Sequence, residues 1–517
     1  MKKKLAIIGL VAMLCTSFVG CKNNSSADKT ISNETKNITV GLNLYQTNLD
    51  PALEWNGWYV SMYGIGETLV KFNKSMEIEV SLADSWKKVD DLTWQFHIRE
   101  GVKFHNENPL TANAVKASME RALKANPRTQ EMLAVSSITA DGQNLTITTK
   151  TPHTALLGNL ADPINSIIDA TAAADTVAKA PIGTGPFKIK SYTDGSQVVV
   201  ERYSDYWGGK ALINEATFKY IKDDNTRSMA LQSGEIDVAN NVSVNNLSLF
   251  EDKSKYTIST ATSLRIVMSY FNFNNEFLKD PAVRKAIALG VDRESYSKSL
   301  LKGTAVAAVG PFPGSLPFGN KNLTGYTYNQ AEATKTLNDA GYKDTDGDGI
   351  LEKNGKKLEL NIAVFPTRAE IPVIGEAMQA QLKEIGIAAN LKSYETVNPI
   401  LKSGDFDLSL YNVNTATTGD SQSFLESYFR TGGSTNFGKY SNPNVDVLID
   451  KLKTEYDTQK RNEIATKVQQ NLLDDNAGLF LVNPMSNRVS KSTVTGMEVY
   501  PIDFYMLDNK VDKNDRK

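Results

Sequence analysis

Leu358-Glu-Leu-Asn-Ile-Ala-Val364, then Ile374-Gly-Glu-Ala-Met-Gln-Ala-Gln-Leu-Lys-Glu-Ile385, then Ala388-Ala-Asn-Leu391 is the stretch that decides the fold class. It reads as a short strand, a helix and a second strand. The same alternation extends on both sides. Ile266–Asn274 predicts a strand, and Asp280-Pro281 starts a helix over Ala282–Leu289. There Asp280 can cap, and Pro281 sits in the first turn, where its missing N–H costs nothing. Asp407–Tyr411 predicts a strand, Val445–Tyr456 a helix, and Leu479–Asn483 closes the series. Strands alternating with helices of this length indicate an α/β domain.

The first part of the chain has a different texture. Ile38–Leu44 alternates as a half-buried strand, Asn48–Pro51 is a turn, and Trp58–Lys71 predicts a helix running into a strand. Leu92–His105 predicts a hairpin turning at Glu100-Gly101, with Trp94, Phe96, Ile98, Val102 and Phe104 on one face. Thr111–Lys124 has helical spacing, with Thr111 as its cap. Pro181–Phe187 is dense in chain-breaking residues and marks a boundary. Lys188–Arg202 predicts a second hairpin, Asp224–Ser233 a helix and Gly234–Val238 a buried strand.

Lys2, Lys3 and Lys4 precede an apolar run, Leu5–Phe18, that is too short for a permanent span of roughly 30 Å of hydrocarbon. Residues 1–20 are therefore expected to be a signal peptide. Phe18-Val-Gly-Cys21 resembles a bacterial lipobox, which implies lipidation of Cys21 and anchoring by two or more acyl chains. Residues 21–37, with hardly an apolar side chain, are expected to form a flexible tether. Loss of the leader removes Cys15, leaving no disulfide and no cysteine metal site. With 57 basic against 59 acidic residues, no basic field suggests nucleic acid. No Gly-x-Ser-x-Gly elbow, phosphate loop or His-Glu-x-x-His occurs, and only three histidines are available to a triad, so neither an enzyme nor a cofactor is expected.

Four segments then occur in order: Trp94-Gln-Phe-His-Ile-Arg-Glu-Gly-Val-Lys-Phe-His105 with Pro109-Leu-Thr-Ala112; Pro181-Ile-Gly-Thr-Gly-Pro-Phe187; Asp280-Pro-Ala-Val-Arg284 with Val291-Asp-Arg293; and Gly438-Lys-Tyr-Ser-Asn-Pro443. Together they resemble the family 5 extracellular solute-binding proteins, the peptide- and nickel-type receptors of ABC importers. The resemblance implies an α/β fold of periplasmic-binding-protein type II, with two α/β lobes, an inserted third lobe and two hinge crossings. Lobe I would comprise 38–75, 182–270 and 485–510, the insert 76–181, and lobe II 271–484, with hinges at Ile266–Asn274 and Leu481–Asn487. It further implies an extracytoplasmic, lipid-anchored monomer that delivers its ligand to permease and ATPase subunits. A sensing lipoprotein and a carboxylate-based peptide hydrolase are the rival readings.

The ligand stays open between a small peptide and a metal chelate. In peptide-type relatives an aspartate ahead of a Phe-Leu helix holds the α-ammonium; within Asn414–Leu425 the matching positions are Thr417 and Asp420. A threonine cannot neutralise a buried ammonium, so either Asp420 does so or the ligand is not a standard free-amino peptide. In nickel-type relatives arginine meets the chelate's carboxylates, but the matching segment Leu160–Ser166 has none, and the histidine position falls near Gln422. Arg128 and Arg430 are candidate carboxylate contacts. Tyr45, Trp55, Trp58 and Tyr411, with Asn412 beside it, lie at strand ends or in loops and are candidate pocket walls. His97 and His105 share a face of the expected hairpin, which reads as a polar sheet face rather than a metal site. Asp344-Thr-Asp-Gly-Asp-Gly349 copies half of an EF-hand loop, with Gly355 where the bidentate glutamate belongs and Glu352 three residues earlier. A turn of Asx and Gly residues accounts for it without an ion.

Overall fold

Strands Glu359–Val364 and Ala388–Ser393 run parallel, and helix Glu370–Glu384 between them buries Ile371, Ile374, Met378 and Leu382 along one stripe. Strand Leu408–Asn414 joins in parallel, and Arg265–Phe271 pairs antiparallel with it. The structure, a computed structural model, describes residues 36–514 apart from 367 and 369. The expected leader, Cys21 and all but the end of the tether lie outside the described residues. Strand pairing starts at Asn37, inside the segment expected to be tether.

A second group of strands forms around Asn37–Leu42, which is parallel to Glu215–Tyr220 and to Val238–Asn240. The hairpin Phe187–Thr193/Gln197–Arg202 extends it. Alternate residues Ile38, Val40 and Leu42 fill the core beneath this sheet. The long strand Gly478–Lys491 links the groups: its first part pairs with Arg265–Phe271 and its last with Tyr256–Thr262. The other link is Ser263-Leu264, between Tyr256–Thr262 and Arg265–Phe271. The two links are tied together. Ser263 Oγ donates to the Pro484 carbonyl at 2.6 Å, and Asn483 Nδ2 donates to the Arg265 carbonyl at 2.8 Å. These are the two hinge crossings of a type II periplasmic-binding-protein fold. The sequence places the first hinge in Ile266–Asn274, but most of that stretch is an internal strand with Ile266, Met268 and Tyr270 in the core, and the crossing lies at Ser263-Leu264.

A separate antiparallel sheet sets Thr93–Ile98 between Ala83–Lys88 and Asn144–Thr149, with Val135–Asp141 at its edge. Trp94, Phe96 and Ile98 face its core. The hairpin expected over Leu92–His105 does not form. Val102 and Phe104 reach the same core from a loop, and Lys103 bridges only Pro109. His97 and His105 consequently part company: His97 Nδ1 meets Asp84 at 2.9 Å, and His105 Nε2 meets the Gly185 carbonyl at 3.0 Å. Helix Ala112–Ala125 packs against this sheet, its first turn closed by Thr111 Oγ1 accepting from Ala114 N at 3.2 Å. Of the helix running into a strand expected over Trp58–Lys71, the helix spans Asn56–Met62 and the strand Val70–Phe72, and the strand expected over Gly234–Val238 begins at Val238.

Candidate ligand cleft

The parallel strands of both groups end at one place. Leu42–Gln46, Asn240-Asn241, Arg368, and Asn414 with Thr417 each stand at or just after the carboxyl end of such a strand, and all line one cavity of about 480 Å³. Open α/β sheets bind ligands in the crevice outside those strand ends. Helix Asn56–Met62 supplies another wall. Gly57 allows it: a Cβ there would lie 2.3 Å from the Pro163 carbonyl, so only glycine lets the helix press against the Asp162-Pro163 segment. That contact brings Trp55 and Trp58 beside Arg128 and Asp162. Trp58 stands edge-on to Trp55 (5.9 Å) and to Phe504 (5.4 Å), and its buried Nε1 has no hydrogen-bond partner.

Three guanidiniums and two carboxylates face this space. Arg128 is neutralised: Nη2 sits 2.7 Å from Asp162 Oδ2, and the guanidinium lies 4.1 Å from the Trp55 ring centroid. Burial pushes the Asp162 carboxyl up, with Arg128 opposing. Arg265, at the first crossing, donates from Nη1 to Asn412 Oδ1 at 3.2 Å, and Asn412 Nδ2 donates to Glu370 Oε1 at 2.9 Å. Burial, reinforced by the like charge of Arg368, pulls the Arg265 guanidinium down to about 10, so it remains a cation at neutral pH. Asp503 is pushed up by burial while Arg265, Arg368 and Arg488 pull against that. No lysine or arginine nitrogen among the described residues comes within 4.0 Å of its carboxylate. Arg488, 3% exposed, lies outside the cavity lining and donates from Nη1 to the Glu498 carbonyl at 2.6 Å.

Of the residues singled out in the sequence, Tyr45, Trp55, Arg128 and Thr417 line the cavity together with Trp58. Asn412 stands one step behind, orienting Arg265. Tyr411 does not reach it; the ring is buried and stacks on Tyr270 at 5.6 Å. Asp420 does not reach it either. Its Oδ2 accepts from Arg461 Nε at 2.9 Å and Nη2 at 2.7 Å, and its Oδ1 accepts from Gln422 N at 2.7 Å. Arg430 forms a two-point ion pair with Asp450, at 3.0 and 2.9 Å, away from the cavity. Its donated hydrogen bond holds the Asp450 carboxyl down at about 2. Arg265, Arg368, Asp162 and Asp503 do not stand out in the sequence, although Arg368 comes soon enough after a predicted strand for the strand-end rule to find it. The acidic loop draws Asp344, Asp346, Asp348 and Glu352 together, but Lys357 pairs with both Asp346 and Asp348, and Asp344 accepts from the amides of Gly347 and Gly349.

Residues 77–436 match the family described as bacterial extracellular solute-binding proteins, family 5 Middle. The chain belongs to this family. It is 28% identical over 508 residues to the nickel-binding protein NikA of Staphylococcus aureus, covering 98% of each chain. It is likewise 28% identical over 537 residues to the oligopeptide-binding protein AppA of Bacillus subtilis, covering 96% of each. The crystal structure of a nickel ABC transporter from Bacillus halodurans superposes with a TM-score of 0.85 at 30% identity, covering 92% of this chain and 100% of that one. Among the described residues, no helix is long and apolar enough to cross a membrane.

Proposed function

We propose that this family 5 protein is the receptor of an ABC importer, and that its cargo is a small carboxylate-bearing solute of metal-chelate or dipeptide size. Arg265 and Arg368 carry this reading. Both line the cavity, and neither has a carboxylate within 4.0 Å among the described residues. Two unpaired guanidiniums in a partly desolvated cleft are a fork-shaped receptor for carboxylate oxygens. The aromatic walls suit the apolar remainder of a solute, and about 480 Å³ lies in the small-molecule range of roughly 300–1,000 Å³. Long peptides fit this volume poorly. A chelate gains support from the nickel-binding relatives and from the sealed state of Asp420, which is one of the two alternatives left open for the ammonium. No histidine lines the cavity, so a metal ion would travel with its own ligands as cargo.

Arg265 lies at a crossing, Arg368 in the second strand group, and Asp503 in the C-terminal segment that returns to the first. A solute touching all of them favours the closed arrangement of the two lobes, and closure is what a permease can read. The lobes taken to move are 38–75, 182–262 and 485–510 against 265–484, with 76–181 inserted in the first. Mass spectrometry, organic and elemental, of whatever co-purifies is the test, followed by calorimetry. A bound solute without a carboxylate refutes the reading. The lipobox-like Phe18–Cys21 supports a lipid anchor, for which Cys21→Ser is expected to shift the protein from the membrane to the soluble fraction.

A further inference from the structure

A second cavity, of about 460 Å³, lies against the start of the long strand Gly478–Lys491 and shares no lining residue with the cleft. Phe480, Tyr326 and Tyr328 give it apolar walls, and its one cation is Arg293. No carboxylate comes within 4.0 Å of that guanidinium among the described residues. Its Nε donates to the Phe480 carbonyl at 2.7 Å and its Nη1 to the Ala288 carbonyl at 3.0 Å, while Nη2 makes no hydrogen bond and is not sealed from solvent. Arg284 shows the contrast. It also lacks a nearby carboxylate, but all three of its nitrogens are taken up by carbonyls. Burial pulls the Arg293 guanidinium down to about 10, so it is a cation at neutral pH. A partly desolvated cation without a counter-ion is costly until an anion reaches it.

We propose that this cavity is a second binding site, distinct from the cargo cleft, for a small organic monocarboxylate, with its carboxylate on Arg293 Nη2 and its apolar body among Phe480, Tyr326 and Tyr328. The volume falls in the small-molecule range of roughly 300–1,000 Å³. Two acidic residues of the lining set the charge of the occupant. Asp292 is engaged in capping, accepting from Ser295 N at 3.0 Å, and Glu294 pairs with Lys298 at 2.7 Å. Neither neutralises Arg293, but both oppose a second negative charge, so dicarboxylates and phosphates are disfavoured. An occupant also touches strands that meet the second crossing: Phe480 leads into Asn483-Pro484, and Ala305–Ala307 pairs with Val482–Pro484.

Calorimetry on the full chain carrying Arg265→Gln and Arg368→Gln, so that the cleft offers no free guanidinium, tests this with 4-bromobenzoate against 4-bromobenzamide. The charge-assisted contact predicts that the carboxylate binds roughly tenfold to a hundredfold more tightly. Bromine anomalous scattering from crystals grown with it should place the ring against Phe480. Arg293→Gln should bring the two probes to within about threefold of each other. Because Arg293 also holds two carbonyls, Val309→Trp, which fills the cavity and keeps the guanidinium, is the second variant and should weaken 4-bromobenzoate at least tenfold. Equal binding of the two probes, binding of neither, or bromine found only outside the cavity overturns the proposal, whether or not the variants fold. So does a preference that survives in Arg293→Gln, or an affinity unchanged in Val309→Trp.

Discussion

Asp420→Ala separates a structural carboxylate from a ligand-binding one. The Asp420 side chain is 20% exposed and its partner Arg461 only 8%. Without the carboxylate, the Arg461 guanidinium keeps the Leu452 carbonyl, the Glu455 carbonyl at 2.7 Å and Gln422 Oε1 at 3.4 Å. It loses its only counter-charge among the described residues. Breaking a buried pair from one side costs about 3–5 kcal/mol, and the carbonyls that remain place this case near 3. With a urea slope of roughly 3 kcal/mol/M or somewhat more for a chain of this size, the unfolding midpoint falls by about 1 M or slightly less. Removing both partners, as Asp420→Ala with Arg461→Met, should recover much of that loss, because no uncompensated charge is left buried. Affinity for the cargo should change by no more than about threefold, since the carboxylate is absent from the cavity lining. Affinity that falls tenfold or more with an unchanged urea midpoint would show that Asp420 touches the ligand, and the reasoning would be wrong.

Arg265→Gln and Arg368→Gln should each weaken binding of the co-purifying solute by about tenfold to a hundredfold in calorimetry, with the melting temperature little changed. Gly158→Ala puts a Cβ 2.0 Å from the Thr418 carbonyl, on the loop that carries Thr417 into the cavity. The ligand-saturated protein should then show a larger radius of gyration by X-ray scattering than the wild type, and weaker binding; identical scattering curves refute a closure role for this contact. Burial holds His105 down at about 4, so the folded chain stays neutral there while the unfolded chain takes up a proton below about 6.5. The stability owed to this is complete above pH 6.5 and declines as pH falls toward 4, by up to roughly 3 kcal/mol. Urea midpoints at pH 7 and 4.5 should differ less in His105→Gln than in the wild type.

Local rules sufficed wherever the partner is nearby. Thr111 caps its helix and Asp280 its own, accepting from Ala282 N at 2.9 Å, because a cap is decided within three residues. The same rules failed for Leu92–His105. The turn at Gly101 is present, with φ of 75°, yet Val102 and Phe104 beyond it pack from a loop. Thr93–Ile98 instead turns back on the preceding strand Ala83–Lys88 through a short turn closed by Val89 N donating to the Thr93 carbonyl, and its other neighbour is the distant Asn144–Thr149, a pairing that leaves no local trace.

The cleft divides in the same way. Tyr45 could be placed because residues after a parallel strand fall at the cleft whatever the rest of the chain does, whereas Thr417 is reached through the family resemblance. Asp420 misled because its partner, Arg461, is 41 residues away on helix Thr458–Asp474, and nothing around Asp420 announces an arginine. The charge total is silent on the cleft. Near-balance over the whole chain says nothing about a cleft where Arg265, Arg368 and Asp503, each isolated in sequence, are gathered by a hinge, a loop and the C-terminal segment. An ion pair neutralises a charge only over contact distance, and screening over roughly 8–10 Å at physiological salt makes distant counter-charges irrelevant. The preference of such a site therefore depends on which charges the fold leaves unmatched, and that quantity exists only once the crossings at Ser263-Leu264 and Asn483-Pro484 have formed.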